Sequence, residues 1–130
     1  MNQHGNPPSP KNLWKWFNPF GRETGGWAFI LNRVTALGLT LYLFLHLLVL
    51  FQLSQGPEAY NGFLELIHSP VFIFGELLVV AAGIMHGLNG IRIVLTSFGI
   101  GVTAQKQLFY GLMAVSVVTI LMFALRMFGG

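Results

Sequence analysis

Three long apolar runs, residues 27–53, 71–95 and 108–128, decide most of what this chain can become. Each is at or above the ~20 residues that a helix needs to span the hydrocarbon of a bilayer. The remainder cannot supply a soluble domain: of 130 residues, 54% are hydrophobic and only 8% charged, and the mean hydropathy is +0.66. So few charges do not clothe a water-soluble surface of this size. The sequence therefore predicts an all-α integral membrane protein with three transmembrane helices.

Two segments follow from this reading: residues 1–26, an N-terminal interfacial stretch, and residues 27–130, a three-helix transmembrane domain. The first is rich in Pro, Asn, Gly and Trp. It lacks an apolar core ending in small cleavable residues, so it does not read as a signal peptide. Trp14, Trp16, Phe17 and Phe20, beside Lys11, Lys15 and Arg22, suit a segment lying on headgroups or docked on a soluble partner. Lys11, Lys15 and Arg22 precede the first span and Lys106 follows the second, whereas the loop between the first two spans carries Glu58 and Glu65 and no Lys or Arg. The positive-inside rule then puts the N-terminus in the cytoplasm and the C-terminus outside, with a bacterial cytoplasmic membrane as the expected location. The net charge of +3 is thus a matter of topology, and no nucleic-acid partner is expected. The chain has no Cys, which excludes disulfides, thiolate metal sites and Cys-ligated iron-sulfur clusters.

Punctuation between the spans is legible. Gln55, Gly56 and Pro57 end the first, and Pro57 suits the first turn of a short amphipathic helix that turns Tyr60, Phe63, Leu64 and Ile67 to the membrane surface. Ser69 and Pro70 read as cap and first turn of the second span, Gly99 and Gly101 close it, and Thr103 is a candidate cap for the third.

Because the spans are apolar nearly all round, their polar exceptions mark the sides that face protein. Asn32, Thr35, Leu39, Tyr42 and His46 fall along one stripe of the first helix at helical spacing. On the second, Gly83, His86, Asn89 and Gly90 share a face, with small residues about a turn either side of the imidazole. Tight helix packing and a slot for a flat macrocycle both fit that spacing. A neutral imidazole in hydrocarbon must recover a partner, whether another side chain, a backbone carbonyl or a metal centre. Arg33 and Arg92 lie near the same end of their helices, where snorkelling to headgroups is the plain expectation. Glu76 and Arg126 lie at similar depth on antiparallel helices, and pairing them would remove two isolated charges. His68 sits at the outer boundary and His4 near the N-terminus.

The run His86-Gly87-Leu88-Asn89-Gly90-Ile91-Arg92, preceded about fifty residues earlier by Asn32-Arg33-Val34-Thr35, resembles the cytochrome b subunit of succinate dehydrogenase, over most of the chain from Trp27 to Phe128. The resemblance implies that His86 is an axial ligand of haem b. It places Arg33 and Thr35 close to a quinone and a haem propionate, beside Asn32, where members with a single haem often carry His. It gives Arg92 either the same propionate role or simple snorkelling. His46, in the outer half of the first helix, would serve a second haem, as in the two-haem branch of the family, or else make a hydrogen bond to a neighbouring helix. One chain offers one His per haem, so the opposite ligands imply a second hydrophobic anchor subunit that completes the helical bundle. The resemblance further implies an iron-sulfur subunit and a flavoprotein subunit on the cytoplasmic side, with quinone as the substrate reduced at the assembled anchor. The expected function is a haem b-containing membrane anchor of succinate:quinone oxidoreductase, and the competing expectation is a haem-free structural anchor in which both histidines only make interhelical hydrogen bonds.

Overall fold

A computed structural model describes Lys11 and residues 24–130. The expected interfacial segment, with its tryptophans, lies outside the described residues apart from Lys11 and the last three positions, which are already helical. The described chain is built of α1 (Thr24–Ser54), α2 (Pro57–Ile67), α3 (Pro70–Ser97), a 3-10 turn (Val102–Ala104) and α4 (Gln105–Gly129). α1, α3 and α4 are long and apolar enough to cross a membrane. Within hydrocarbon a helix satisfies its own backbone groups, so apolar runs of this length settle as helices whatever their residue propensities. Each span extends one to three residues beyond its apolar run, because Thr24, Gly25, Gln105 and Lys106 continue the hydrogen-bonded turns into polar sequence.

The turns use the residues the sequence marked, with two differences. Gly56 holds a φ of 112° ahead of Pro57, a conformation open to glycine at little cost. α3 ends in a Schellman motif: Gly99 has φ 79°, Ile100 N–H donates to the Leu95 carbonyl at 2.9 Å, and Gly99 N–H donates to Thr96 at 3.1 Å. Ser69 occupies the cap of α3 without a side-chain bond; its carbonyl instead accepts from Phe72 and Ile73 N–H. The cap of α4 is Ala104, since Thr103 is taken into the 3-10 turn.

α3 packs against both α1 and α4, while α1 and α4 barely touch. α2 lies on the far end, where Tyr60, Phe63, Leu64 and Ile67 are half-buried and the helix contacts α1 and α3; the Phe63 and Phe72 rings meet edge-on at 6.5 Å. Its apolar face therefore turns to the bundle and not only to the membrane surface.

The core is inverted relative to a soluble bundle. Leu and Phe side chains cover the outside, and among the described residues the buried set is Ala28, Ile30, Thr35, Asn89, Phe109 and Ser116. Between helices in lipid there is no hydrophobic gain, so association rests on close packing of small residues and hydrogen bonds. All six lie in the N-terminal halves of α1 and α4 or the C-terminal half of α3. The bundle is thus consolidated at one end, the basic end that carries Arg33, Arg92 and Lys106. At the other end Tyr42, His46, Glu76 and Arg126 are exposed. Among the described residues no ion pair joins Glu76 to Arg126. Similar depth on antiparallel helices does not bring two side chains to the same side.

Candidate functional site at the basic end

The antiparallel register of α1 and α3 brings Asn32, Thr35 and His86 together across 51 to 54 residues of sequence. His86 Nδ1 lies 3.2 Å from the Asn32 carbonyl oxygen and 3.2 Å from Thr35 Oγ1. Thr35 Oγ1 lies 2.7 Å from the Leu31 carbonyl, one turn back. Thr35 Oγ1 also lies 3.1 Å from the Asn32 carbonyl, so these groups share four contacts. The carbonyl can only accept, so Nδ1 carries hydrogen; the Thr35 hydroxyl donates to Leu31 and its lone pairs share the Nδ1–H. A neutral imidazole that donates to the Asn32 carbonyl carries its hydrogen on Nδ1 and keeps a lone pair on Nε2, which has no hydrogen-bond partner among the described residues. A metal-ligating His almost always donates its other ring N–H to such an acceptor, which fixes the ring and raises its basicity.

Next to this contact, Asn89 is 1% exposed. Its Nδ2 donates to the Ala28 carbonyl at 3.1 Å and its Oδ1 accepts from Arg92 Nε at 3.0 Å. Asn89 thus ties α3 to α1 and aims Arg92, whose guanidinium lies 5.8 Å from the centre of the Phe109 ring on α4. Sequence spacing put Asn89 on the His86 face but not in this bridging role; a lone Asn inside an apolar span was the available signal. Asn32 presents an acceptor of its own, for its Oδ1 is buried and without a hydrogen-bond partner among the described residues.

The two sides of His86 differ. At about 100° per residue, Gly83 and Gly90 lie roughly 40–60° round α3 from His86 in one sense, and Asn89 and Arg92 roughly 60° and 120° in the other. α4 covers the second side. On the first, a Cβ added at Gly83, Gly87 or Gly90 would meet no atom within 4 Å. Tight packing against the described residues therefore does not explain these glycines. Helical geometry places Arg33 and Phe29 of α1 on the same open side, and the Arg33 guanidinium lies 4.4 Å from the centre of the Phe29 ring.

The site residues expected from sequence thus divide. His86, Thr35 and Asn32 meet, with Arg33 beside the open face; Arg92 points to the opposite side, against α4. His46 stands apart on the exposed far half of α1, where its Nδ1 is 3.5 Å from the Tyr42 hydroxyl and the two rings are 5.5 Å apart. No group of three or more His, Cys, Asp or Glu that could hold a metal ion occurs among the described residues. A metal bound here would have to bring most of its own ligands, as a haem does.

Comparison with known proteins agrees with this architecture. Residues 9–125 match the succinate dehydrogenase/fumarate reductase transmembrane subunit family. The succinate dehydrogenase hydrophobic membrane anchor subunit of Halobacterium salinarum is 36% identical over 96 residues, covering 70% of this chain and 74% of the relative. The succinate dehydrogenase 2 membrane subunit SdhC of Mycobacterium tuberculosis is 33% identical over 76 residues, covering 58% of this chain and 56% of the relative. With three apolar spans, a matching family over nine-tenths of its length and relatives of that description, the chain belongs to the transmembrane subunits of the succinate dehydrogenase/fumarate reductase family and is an integral membrane protein.

Proposed function

We propose that this subunit holds haem b through His86 Nε2 and, with a second hydrophobic anchor subunit, shapes the site at which quinone takes electrons from a soluble iron-sulfur subunit. The observation that carries the reading is the double anchoring of His86 Nδ1 by the Asn32 carbonyl and Thr35 Oγ1, each at 3.2 Å. Simple interhelical bonding would need only one of these acceptors and would not need the open glycine face beside the ring. The donor set fits the group: one imidazole with a free nitrogen, a wall without Cβ atoms at Gly83, Gly87 and Gly90, and a guanidinium at Arg33 on the same side. When bound, haem b supplies a one-electron centre. The chain's own residues do the holding: Asn32 and Thr35 fix the tautomer and plane of His86, Asn89 locks α3 to α1, and Arg33 offers planar paired donors to a propionate or a quinone oxygen. In the proposed orientation the basic end faces the cytoplasm, where the iron-sulfur and flavoprotein subunits dock. Succinate chemistry at the flavin belongs to those subunits and not to this chain.

The decisive experiment is a reduced-minus-oxidised visible spectrum of the purified complex with haem quantified per copy of this chain. We expect one haem per copy; none would favour the haem-free structural anchor.

Two further outcomes are expected. In Arg33→Ala, quinone reduction falls about tenfold or more while succinate oxidation by an artificial soluble acceptor persists, because loss of one charge-assisted contact to substrate is worth about 1.5–3 kcal/mol. Equal loss of both activities would mean failed assembly. In His46→Ala the haem content stays at one per chain. Among the described residues the His46 ring has only the Tyr42 hydroxyl at the limit of hydrogen-bond distance and no backbone carbonyl behind it. That lacks the firm outer-shell acceptor expected behind a haem ligand. A fall from two haems to one in this variant would instead assign His46 to a second, distal haem.

A further inference from the structure

On the opposite side of α3 from the glycine face, the basic end of the bundle forms an open hollow of about 630 Å³ that the proposed haem site does not use. Arg92 and Lys106 line it, together with Thr24, Trp27, Gln105 and Tyr110, and among the described residues no acidic one does. Arg92 commits its Nε to Asn89, and among the described residues its two terminal nitrogens have no hydrogen-bond partner. Among the same residues Lys106 makes no hydrogen bond or ion pair. A second hollow of about 320 Å³ shares Thr24, Trp27, Phe109 and Tyr110 with the first and adds Leu31. Leu31 is one turn deeper along α1 than Trp27, about 6 Å further into the membrane.

We propose that these two hollows form one binding site for an anionic phospholipid, with the phosphate held by Arg92 and Lys106 and an acyl chain laid between Trp27, Leu31 and Phe109. Two cations with no carboxylate beside them among the described residues call for an anion, and a guanidinium fixed at Nε is well placed to meet phosphate oxygens with its remaining donors. The apolar hollow leading inward distinguishes an amphiphile from a free anion or from the carboxylate of a docked protein, either of which would leave it empty. The level is right for a headgroup. Thr24 and Lys106 stand at the starts of α1 and α4, and Trp27 and Tyr110 are both exposed, as aromatic residues at a membrane interface are. The site shares no residue with the open face beside His86, so it stands or falls separately from the haem assignment.

The test uses the intact complex in nanodiscs of phosphatidylcholine with or without phosphatidylglycerol, reading phosphatidylglycerol retained per chain after detergent washing. The wild type should retain one molecule and show a higher Tm with phosphatidylglycerol than without. Lys106 is exposed and makes no bonds among the described residues, so its substitution leaves the fold intact. Lys106→Gln should weaken retention about fivefold, as expected for one cation near a membrane surface at about 1 kcal/mol. Lys106→Glu should abolish it. Leu31→Trp, which fills the inner hollow and leaves both cations, should lower retention as well, with the haem spectrum reporting that the bundle is still assembled. Unchanged retention in both Lys106 variants would overturn the proposal, and so would a wild-type complex that does not distinguish the two lipids. Inorganic phosphate should not raise the Tm beyond chloride at equal ionic strength; equal protection would assign the cations to a free anion and remove the lipid.

Discussion

His86→Ala is expected to leave the complex with less than about one-tenth of the wild-type haem per chain, since changes even to groups behind a metal ligand cost about 10–100-fold in affinity and this change removes the ligand itself. The measurement is a haem-to-protein ratio from the pyridine haemochrome spectrum of the purified complex. Thr35→Val grades the same argument. It removes one of two acceptors and leaves the Asn32 carbonyl at 3.2 Å, so haem affinity should fall to the lower end of that range, about tenfold. The imidazole would then still bind but rock more freely. An unchanged haem content in His86→Ala would end the ligand assignment, whereas loss in Thr35→Val equal to that in His86→Ala would mean that Thr35 mainly holds the two helices together.

Gly90→Leu is expected to have a comparable effect on haem with little effect on the chain itself. A Cβ at this position meets no described atom within 4 Å, so a side chain can start here without a clash at its first carbon. A macrocycle lying against the same backbone would be displaced by it. Haem content should therefore drop at least tenfold, while membrane insertion and the amount of the chain remain as in wild type. Gly111 of α4 provides the control: it too has open space around it, but it lies away from His86, and Gly111→Leu should keep its haem. Full haem occupancy in Gly90→Leu would place the macrocycle elsewhere and return the glycine face to a protein partner.

Much of this arrangement could be read from the residues, and the parts that could not have definite causes. The spans follow from uninterrupted apolar length, and their ends were misplaced by only one to three residues because helices run on into polar flanks such as Thr24-Gly25 and Gln105-Lys106. Helical spacing aligned Asn32 and Thr35 and showed that His86 needs a partner. It did not reveal that the main partner is the backbone carbonyl of Asn32, because every residue has a carbonyl and none announces that it is the one used. Spacing puts Asn89 on the His86 face, and it does meet α1 at the Ala28 carbonyl, whereas Arg92 lies against Phe109 of α4. A period of 3.6 residues ranks side chains around a helix but does not say which neighbour occupies which side. The same gap misdirected the Glu76 and Arg126 pairing, where equal depth was mistaken for contact.

The concentration of buried residues at one end has a bearing on how the subunit is made. Its basic half is a finished part, clasped by Asn89, Thr35 and Phe109, while the other half presents Tyr42, His46 and Glu76 on its surface. In hydrocarbon such groups raise the free energy of any copy that lacks a neighbour to cover them. Copies made in excess of their neighbours would then be the short-lived ones, and the cell's ratio of synthesis, rather than the strength of any contact within the chain, would set how much of it persists.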